Sequence, residues 1–513
     1  MYPGAYAYTE PDKAAVIEAS TGRVVTYAQL ERRSVQFAHW LFEQGLRRGD
    51  HIAILSVNDA TVFELYWGAI RSGLYVTLVN SHLAAEEVAY IVNDSQAAVL
   101  IVSAPLAELA ESIVDRTPAV QARLAFGGTV PGHLAYAEQM ASMSTVPFTD
   151  QPRGADMLYS SGTTGRPKGI KPIVANVQVD DPRGTYVTAI MRDRFAFGPE
   201  SVYMSPAPIY HAGPLRYGTG AQELGGTVVL MDRFDAEKCL AAMEKYRVTH
   251  SQWVPTHFIR MLRLPDAVRE RFDLSAMRLA IHAAAPCPVE VKQAMIDWWG
   301  EIVYEYYSST ESIGGVNISP EEWRRKPGSV GQSGPTSTGI AHICNESGEE
   351  LPANEVGLVY FERDDYAFEY HNDPVKTAES RNPLNPTWAT VGDVGYLDED
   401  QYLFLTDRAK FTIISGGVNI YPQEIENCLS VHPKVFDVAV IGVPNADMGE
   451  AVKAVVQLID GIEPTDAVSG ELIEYCRSRI ARYKCPTSVT FVDVLPRTDT
   501  GKLVKGKIME VSS

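Results

Sequence analysis

Hydroxyls, glycines and cations crowd together in the run Tyr159-Ser160-Ser161-Gly162-Thr163-Thr164-Gly165-Arg166-Pro167-Lys168-Gly169. A polyphosphate asks for this mixture: backbone N–H groups approach closely where side chains are absent, hydroxyls donate, and cations neutralise. The order is not that of a Walker A loop, because Lys168 follows a proline and precedes a glycine. No G-x-G-x-x-G follows a strand, so a Rossmann dinucleotide site lacks support. Further downstream stand Tyr307-Ser308-Ser309-Thr310-Glu311, Val391-Gly392-Asp393, Asp407-Arg408-Ala409-Lys410, Ser415-Gly416-Gly417 and Pro496-Arg497-Thr498-Asp499-Thr500-Gly501-Lys502. Each of these has an ordinary reading when taken singly. Glu311 and Lys502 are residue types that usually stay solvated, and Asp393 and the Gly416-Gly417 pair suit plain turns.

The elements that must position these residues are legible in the periodicity. Thr26-Tyr27-Ala28-Gln29 has capping-box spacing, and Leu30, Phe37, Ala38 and Leu41 follow on one helical face until Gly45. His51 to Val57 reads as a buried strand, Thr61 to Ile70 as a helix, Tyr75 to Asn80 as a strand, Ala84 to Val92 as a helix, and Ala97 to Ser103 as a strand. Strict alternation of this kind implies parallel strands joined by crossover helices, hence a layered α/β sheet. A second set follows the glycine-rich run. It comprises the strands Gly226 to Met231, Arg278 to His282 and Ile302 to Glu305, with Asp235 capping a helix whose face is Leu240, Met243 and Tyr246.

From about residue 340 strands and turns take over, including Glu355 to Tyr360 and Val394 to Leu405 with an Asp-Glu-Asp turn. The last hundred residues predict two helices, Pro422 to Leu429 and Gly470 to Arg482, and strands at Asp437 to Gly442, Val452 to Leu458 and Val489 to Val494. The expected fold class is α/β: a large N-terminal domain of layered α/β subdomains plus a β-rich subdomain, and a small α+β C-terminal domain.

Composition narrows the partners. The 513 residues are 45% hydrophobic and 21% charged, which excludes disorder and collagen-like repeats for the chain as a whole. Lys and Arg number 45 against 64 Asp and Glu, a net charge of −19, so neither nucleic acid nor an anionic membrane is an expected partner. The six scattered cysteines show no metal-ligand spacing and suit reduced thiols in a cytoplasmic protein. The opening residues lack a basic region followed by an apolar stretch, and no later run approaches the roughly 18 apolar residues of a membrane span. No secretion signal or integral membrane segment is therefore expected.

Taken together the motifs carry a resemblance to the adenylate-forming superfamily, in its acyl-CoA synthetase branch, from about residue 20 to 510. The loop around Ser161 to Lys168 is its phosphate signature. Tyr307 to Glu311 resembles its Y-G-x-T-E segment, Val391 to Asp393 its T-G-D, Asp407 to Lys410 its G-R-x-[KD] hinge, and Pro496 to Lys502 keeps its P-x-x-x-x-G-K spacing. Ser308, Val391 and Asp407 depart from the pattern, and none of the three removes a group that does chemistry.

What the resemblance implies is a reaction in two steps. A carboxylic acid attacks the α-phosphorus of ATP, giving acyl-AMP and pyrophosphate, and a thiol then takes the acyl group. Ser161, Gly162, Thr163, Thr164 and Lys168 would hold the outer phosphates, Thr310 the α-phosphate and Glu311 a Mg²⁺. Adenine would lie against Ala284, Ala285 and Pro286 and stack on Tyr307 beside Ser308, and Asp393 and Arg408 would hold the ribose. Lys502 would bridge the acyl carboxylate and α-phosphate. Lys410 would be the hinge between an N-terminal domain of residues 1–409 and a mobile domain of residues 410–513. Gly416 and Gly417 would line the CoA channel, and His211, Gly213, Trp253 and His282 the acyl pocket, with His211 as a gate. The pocket segments 253–258 and 282–286 read as largely apolar or small, so a hydrophobic acid, fatty or aromatic, is expected. ATP, Mg²⁺ and CoA are the implied cofactors. An amine or a carrier protein in place of CoA is the alternative acceptor, and a sensor without catalysis is disfavoured by the presence of Lys502, Glu311, Thr310 and Asp393.

Overall fold

A computed structural model describes residues 2–160, 167–174, 176–364, 368–416, 418–445, 447–497, 503–505 and 507–508, with Arg408 and Ala409 described through their backbone alone. The chain divides into two compact units. The first is Met1–Trp253, Leu264–Ala280 and Tyr366–Thr377; the second is Val254–Arg263, Ile281–Asp365 and Ala378–Ser513.

In the first unit the alternating pattern gives a parallel sheet. His51–Leu55 lies between Tyr75–Val79 and Val99–Ser103, with Ala122–Phe126 beyond the latter. His51–Leu55 and Val99–Ser103 are buried at every position, as strands covered on both faces must be. The helices Thr61–Ile70 and Ala85–Asp94 lie between them in the chain. A second sheet pairs Ala14–Glu18, Thr227–Leu230, Val202–Ser205 and His250–Trp253 in parallel. The helix Tyr27–Glu43 starts on the capping box read from the sequence. Thr26 Oγ1 accepts from Gln29 N and Gln29 Oε1 accepts from Thr26 N, both at 3.2 Å, and Leu30, Phe37, Ala38 and Leu41 are buried. Asp235 caps the helix Ala236–Lys245 by accepting from Lys238 N at 2.9 Å.

In the second unit an antiparallel sheet runs in the order Gly331–Gln332, Tyr402–Arg408, Asp393–Leu397, Gly357–Glu362, Ile340–Cys344. The Asp-Glu-Asp turn is made by Asp398, whose Oδ1 accepts from Asp400 N at 3.0 Å and Tyr402 N at 2.8 Å, the local alternative that aspartate offers a backbone leaving a strand. A further sheet joins Ile413–Ser415, Gly449–Leu458 and Val435–Asn445, with Ser488–Phe491 parallel to Gly449–Leu458. The helices Pro422–Ser430 and Asp466–Arg477 supply Ile425, Leu429, Leu472 and Cys476 to a core with Val438, Val440, Val452 and Val456. The second helix begins four residues before the expected Gly470 and stops five before Arg482. Its start is fixed by Thr465, whose hydroxyl accepts from Val468 N at 3.3 Å, and Arg482–Lys484 forms a separate 3₁₀ turn.

The expected mixture of layered α/β, β-rich and α+β regions is thus present. No helix among the described residues is long and apolar enough to cross a membrane.

Candidate active site

The strand Val303–Ser308 pairs antiparallel with Gly315–Ile318, which sets Tyr307 opposite Val316 and Ser308 opposite Gly315. Between them Ser309 to Gly314 must reverse the chain in little space. A Cβ at Gly315 would come within 2.6 Å of the Tyr307 carbonyl oxygen, and one at Gly314 within 2.4 Å of the Phe361 ring. Ser308 Oγ donates to the Gly314 carbonyl at 2.8 Å, so the serine that departs from the Y-G-x-T-E pattern ties the mouth of the turn. Ser312 has a φ of +55°, and Arg363 Nη1 donates to its carbonyl at 2.9 Å. The turn thereby holds the Glu311 side chain in a buried position, 9% exposed, with Thr310 beside it half-buried.

Tyr307 Oη donates to Asp393 Oδ2 at 2.7 Å. Asp393 opens the strand Asp393–Leu397 directly after Gly392, whose φ of +83° is the left-handed conformation that glycine adopts without strain. The threonine expected before Gly-Asp is a valine, yet Thr390 lies one residue earlier and its hydroxyl accepts from Gly392 N at 3.1 Å. Asp393 stands opposite Arg408 in the ladder; the Arg408 side chain lies outside the described residues. Asp407, the third departure, accepts through Oδ2 from Gln423 N at 3.2 Å and so satisfies a free amide at the start of the helix Pro422–Ser430.

Ala284, Ala285 and Pro286 follow the strand Leu279–His282. Ala284 is exposed and has a φ of +75°, an unusual state for a residue with a Cβ. A titratable cluster lies just before these residues. His282 is fully buried, and its Nε2 lies 3.5 Å from Glu305 Oε2. The same oxygen accepts from Lys292 Nζ at 2.5 Å, and the lysine side chain has no exposure. Burial, aided by the Lys292 ammonium, pulls the His282 ring well below the usual histidine range, so it stays neutral. Burial likewise pushes the Glu305 carboxyl up, against the opposing pull of Lys292.

In the first unit, Lys168 pairs with Ser160 and Gly169 with Tyr159 across the antiparallel strands Leu158–Ser160 and Lys168–Pro172. The Lys168 ammonium stands 5.2 Å from the centre of the Tyr370 ring, and Tyr159 Oη donates to Asp94 Oδ2 at 2.6 Å. Ser161, Gly162, Thr163 and Thr164 lie outside the described residues. His211 precedes the helix Ala212–Glu223 in extended conformation, with its ring 4.5 Å from that of Tyr210, and Gly213 sits in the first turn. Trp253 closes the strand His250–Trp253, is 1% exposed and donates through Nε1 to Ser251 Oγ at 2.7 Å.

Of the remaining expected residues, Lys410 is exposed in the 3₁₀ turn Ala409–Phe411. Gly416 has a φ of +57° and donates to the Met448 carbonyl at 2.8 Å. Gly417 and Lys502 lie outside the described residues. The second unit therefore brings Tyr307, Ser308 and Asp393 together, with Thr310 and Glu311 on the adjoining turn.

Sequence reasoning missed Arg363, Thr390 and the Lys292–Glu305 pair. For Arg363 and Thr390 no sequence signal exists. Lys292 had one, because it falls three and four residues before Met295 and Ile296, on the buried stripe of the helix Val289–Trp299. Glu305 had another, since it alternates in phase with the buried Val303.

The comparisons with known proteins run over the same segments. The AMP-binding enzyme model matches residues 5–371, and the model of the AMP-binding enzyme C-terminal domain matches residues 424–502. The chain is 34% identical over 518 residues to a feruloyl-CoA synthase of an Amycolatopsis species, covering 99% of the chain and 97% of the relative. It is 31% identical over 523 residues to the long-chain-fatty-acid–CoA ligase FadD13 of Mycobacterium tuberculosis, covering 98% and 96%. Among solved structures, ATP-bound MatB from Rhodopseudomonas palustris superposes with a TM-score of 0.83 at 28% identity, covering 100% of this chain and 99% of that one.

Proposed function

Because the chain belongs to the AMP-binding enzyme family, we propose that it is an AMP-forming carboxylic acid:CoA ligase that activates a hydrophobic acid. The observation that carries this reading is the Tyr307–Asp393 hydrogen bond, which joins two signature segments 86 residues apart. One relative is named as a feruloyl-CoA synthase and another as a long-chain-fatty-acid–CoA ligase, which favours CoA over an amine or a carrier protein as acceptor.

The chemistry follows from the substrate. A carboxylate resists substitution because oxide would have to leave; once it carries AMP, the leaving group is good. Its attack on the α-phosphorus redistributes charge on the phosphates, and positioning with electrostatic stabilisation meets most of that demand. Thr163, Thr164 and Lys168 would hold the outer phosphates, with Ser161 and Gly162 supplying backbone donors. Thr310 would donate to the α-phosphate. Tyr307, Ser308 and Ala284 to Pro286 would bind adenine, and Asp393 and Arg408 the ribose hydroxyls. Lys502 would bridge acid and α-phosphate as charge develops.

Glu311 is the residue that would hold Mg²⁺. Among the described residues no three His, Cys, Asp or Glu side chains cluster as a metal cage. A single buried carboxylate suits Mg²⁺, which is commonly held by one or two carboxylates together with substrate phosphates. When bound, the ion would neutralise phosphate charge.

For the thiol step, residues 410–513 would turn about Lys410 as a mobile domain relative to residues 1–409, withdrawing Lys502 and bringing Gly416 and Gly417 to the pantetheine path. His211, Gly213, Trp253 and His282 would border the acyl group. The cytoplasm, where ATP and CoA are supplied, is the proposed location.

The test separates the two steps. Lys502→Ala should abolish pyrophosphate release from acid and ATP while thioester formation from supplied acyl-AMP continues. Pyrophosphate release at the unmodified rate would refute the assignment. A panel of acids incubated with ATP, Mg²⁺ and either CoA or amines, read by mass spectrometry, identifies acid and acceptor together.

A further inference from the structure

Burying an ammonium and a carboxylate together often stabilises a fold no better than apolar side chains of the same size would, so such a pair calls for another use. Lys292 and Glu305 are 0% and 5% exposed. The ammonium donates to Glu305 Oε2 at 2.5 Å and stands 5.0 Å from the centre of the Trp323 ring, itself 2% exposed. His282 completes the cluster with its Nε2 at 3.5 Å from the same oxygen, and neither of its ring nitrogens makes a hydrogen bond among the described residues.

The cluster is tied to the two segments that would present adenosine. Glu305 lies two residues before Tyr307 on the same face of the strand Val303–Ser308, and Tyr307 reaches Asp393. His282 lies two residues before Ala284, which holds its left-handed conformation at the surface. A charge-assisted hydrogen bond is short and directional, so it fixes a distance that apolar packing leaves to the surrounding shape.

We infer that Lys292 and Glu305 are positioning residues for the nucleotide: their buried ion pair sets the spacing between Ala284 to Pro286 and Tyr307, without either residue touching the ligand. The inference rests on the adenylate-forming reading above.

Two variants of the full chain test it, with AMP as the calorimetric probe and thermal melting alongside. The double variant Lys292→Met/Glu305→Leu replaces the pair by apolar groups of similar volume. It should melt at or above the temperature of the unmodified protein and yet bind AMP about ten-fold more weakly, the scale of loss that a small misplacement of binding groups produces. Glu305→Gln keeps an oxygen that accepts from Lys292 but leaves a buried cation uncompensated. It should melt lower while retaining AMP affinity within about two-fold, because the spacing is kept.

A role in stability alone predicts that affinity follows melting temperature across the two variants, and that result would overturn the inference. So would unchanged AMP affinity in the double variant. If the double variant fails to fold, a loss of about ten-fold or more in folded Glu305→Gln overturns it as well. An unmodified protein that does not bind AMP would instead sink the adenylate reading itself.

Discussion

The Tyr307 hydroxyl donates to Asp393 Oδ2 at 2.7 Å and leaves the other carboxylate oxygen, Oδ1, outside this bond. One end of Asp393 is thereby oriented by the protein, which would suit the ribose-binding role proposed for it. Tyr307 is held in turn by its strand, opposite Val316, and its ring lies 6.1 Å from that of Phe361.

Tyr307→Phe keeps the ring and removes this bond. Asp393 is half-buried, so water can replace the lost donor and the cost should be about 1 kcal/mol. We expect KM for ATP to rise about five-fold with kcat little changed. Steady-state pyrophosphate release at varied ATP checks this, and an equal fall in kcat and kcat/KM would instead give the hydroxyl a role in the transition state.

Ser308→Gly restores the glycine of the Y-G-x-T-E pattern and should lower stability. It deletes the hydrogen bond to the Gly314 carbonyl and adds backbone freedom in the unfolded chain, together about 1 to 2 kcal/mol. Urea unfolding should show the loss as a lower midpoint. Gly314→Ala is expected to be worse, because the new Cβ would sit 2.4 Å from the Phe361 ring and that ring is fully buried.

These cases show what a sequence can and cannot carry. The helix at Tyr27 and the strand at His51 were legible because capping chemistry and hydrophobic period act over a few residues. Tyr307, Asp393 and Glu311 were legible as members of a spaced set of motifs. Arg363 was not, since its role depends on a carbonyl 51 residues away that a fold must first bring near. In the sequence Ser308, Val391 and Asp407 stand out only as departures from a pattern that remove no reacting group. The structure gives two of them hydrogen bonds of their own and shows the missing hydroxyl supplied by Thr390. Lys292 and Glu305 run against the general rule that charged residues face water, a rule that Glu64, Glu223 and Glu311 also break here.

Metal dependence should follow the anchoring of the turn that carries Glu311. Glu311→Gln removes the carboxylate charge and should raise the Mg²⁺ concentration for half-maximal pyrophosphate release about ten-fold or more. Arg363→Gln leaves Glu311 intact but loosens the Ser312 carbonyl, and a smaller rise of about three-fold is expected. Titration with Mg²⁺ at saturating ATP measures both, and chelation with EDTA should abolish the first step in every form of the enzyme. An unaltered Mg²⁺ requirement in Glu311→Gln would remove this residue from the metal site.

Stability should fall as pH drops below about 6.5, where an unfolded chain's histidines take up protons. Burial lowers His51 and His250 to about 4 and His257 to about 3, and His282 also lies well below its ordinary value. Between pH 6.5 and 4 these rings are protonated when unfolded and neutral when folded, so the unfolded state binds more protons. Each such ring then costs up to about 1.4 kcal/mol per pH unit of acidification. Glu64 and Glu305 act in the opposite sense, because burial raises their carboxyls and the folded state holds their protons more tightly. His133, His371 and His432 are lowered by burial as well, so seven rings against two carboxyls among the described residues leave a net loss on acidification, smaller than the histidine sum. Urea unfolding at pH 7.0 and 5.5 should give a lower midpoint at the acid value. Calorimetry in buffers of different ionisation enthalpy should show net proton uptake on unfolding, and proton release there would mean that the buried carboxyls outweigh the histidines.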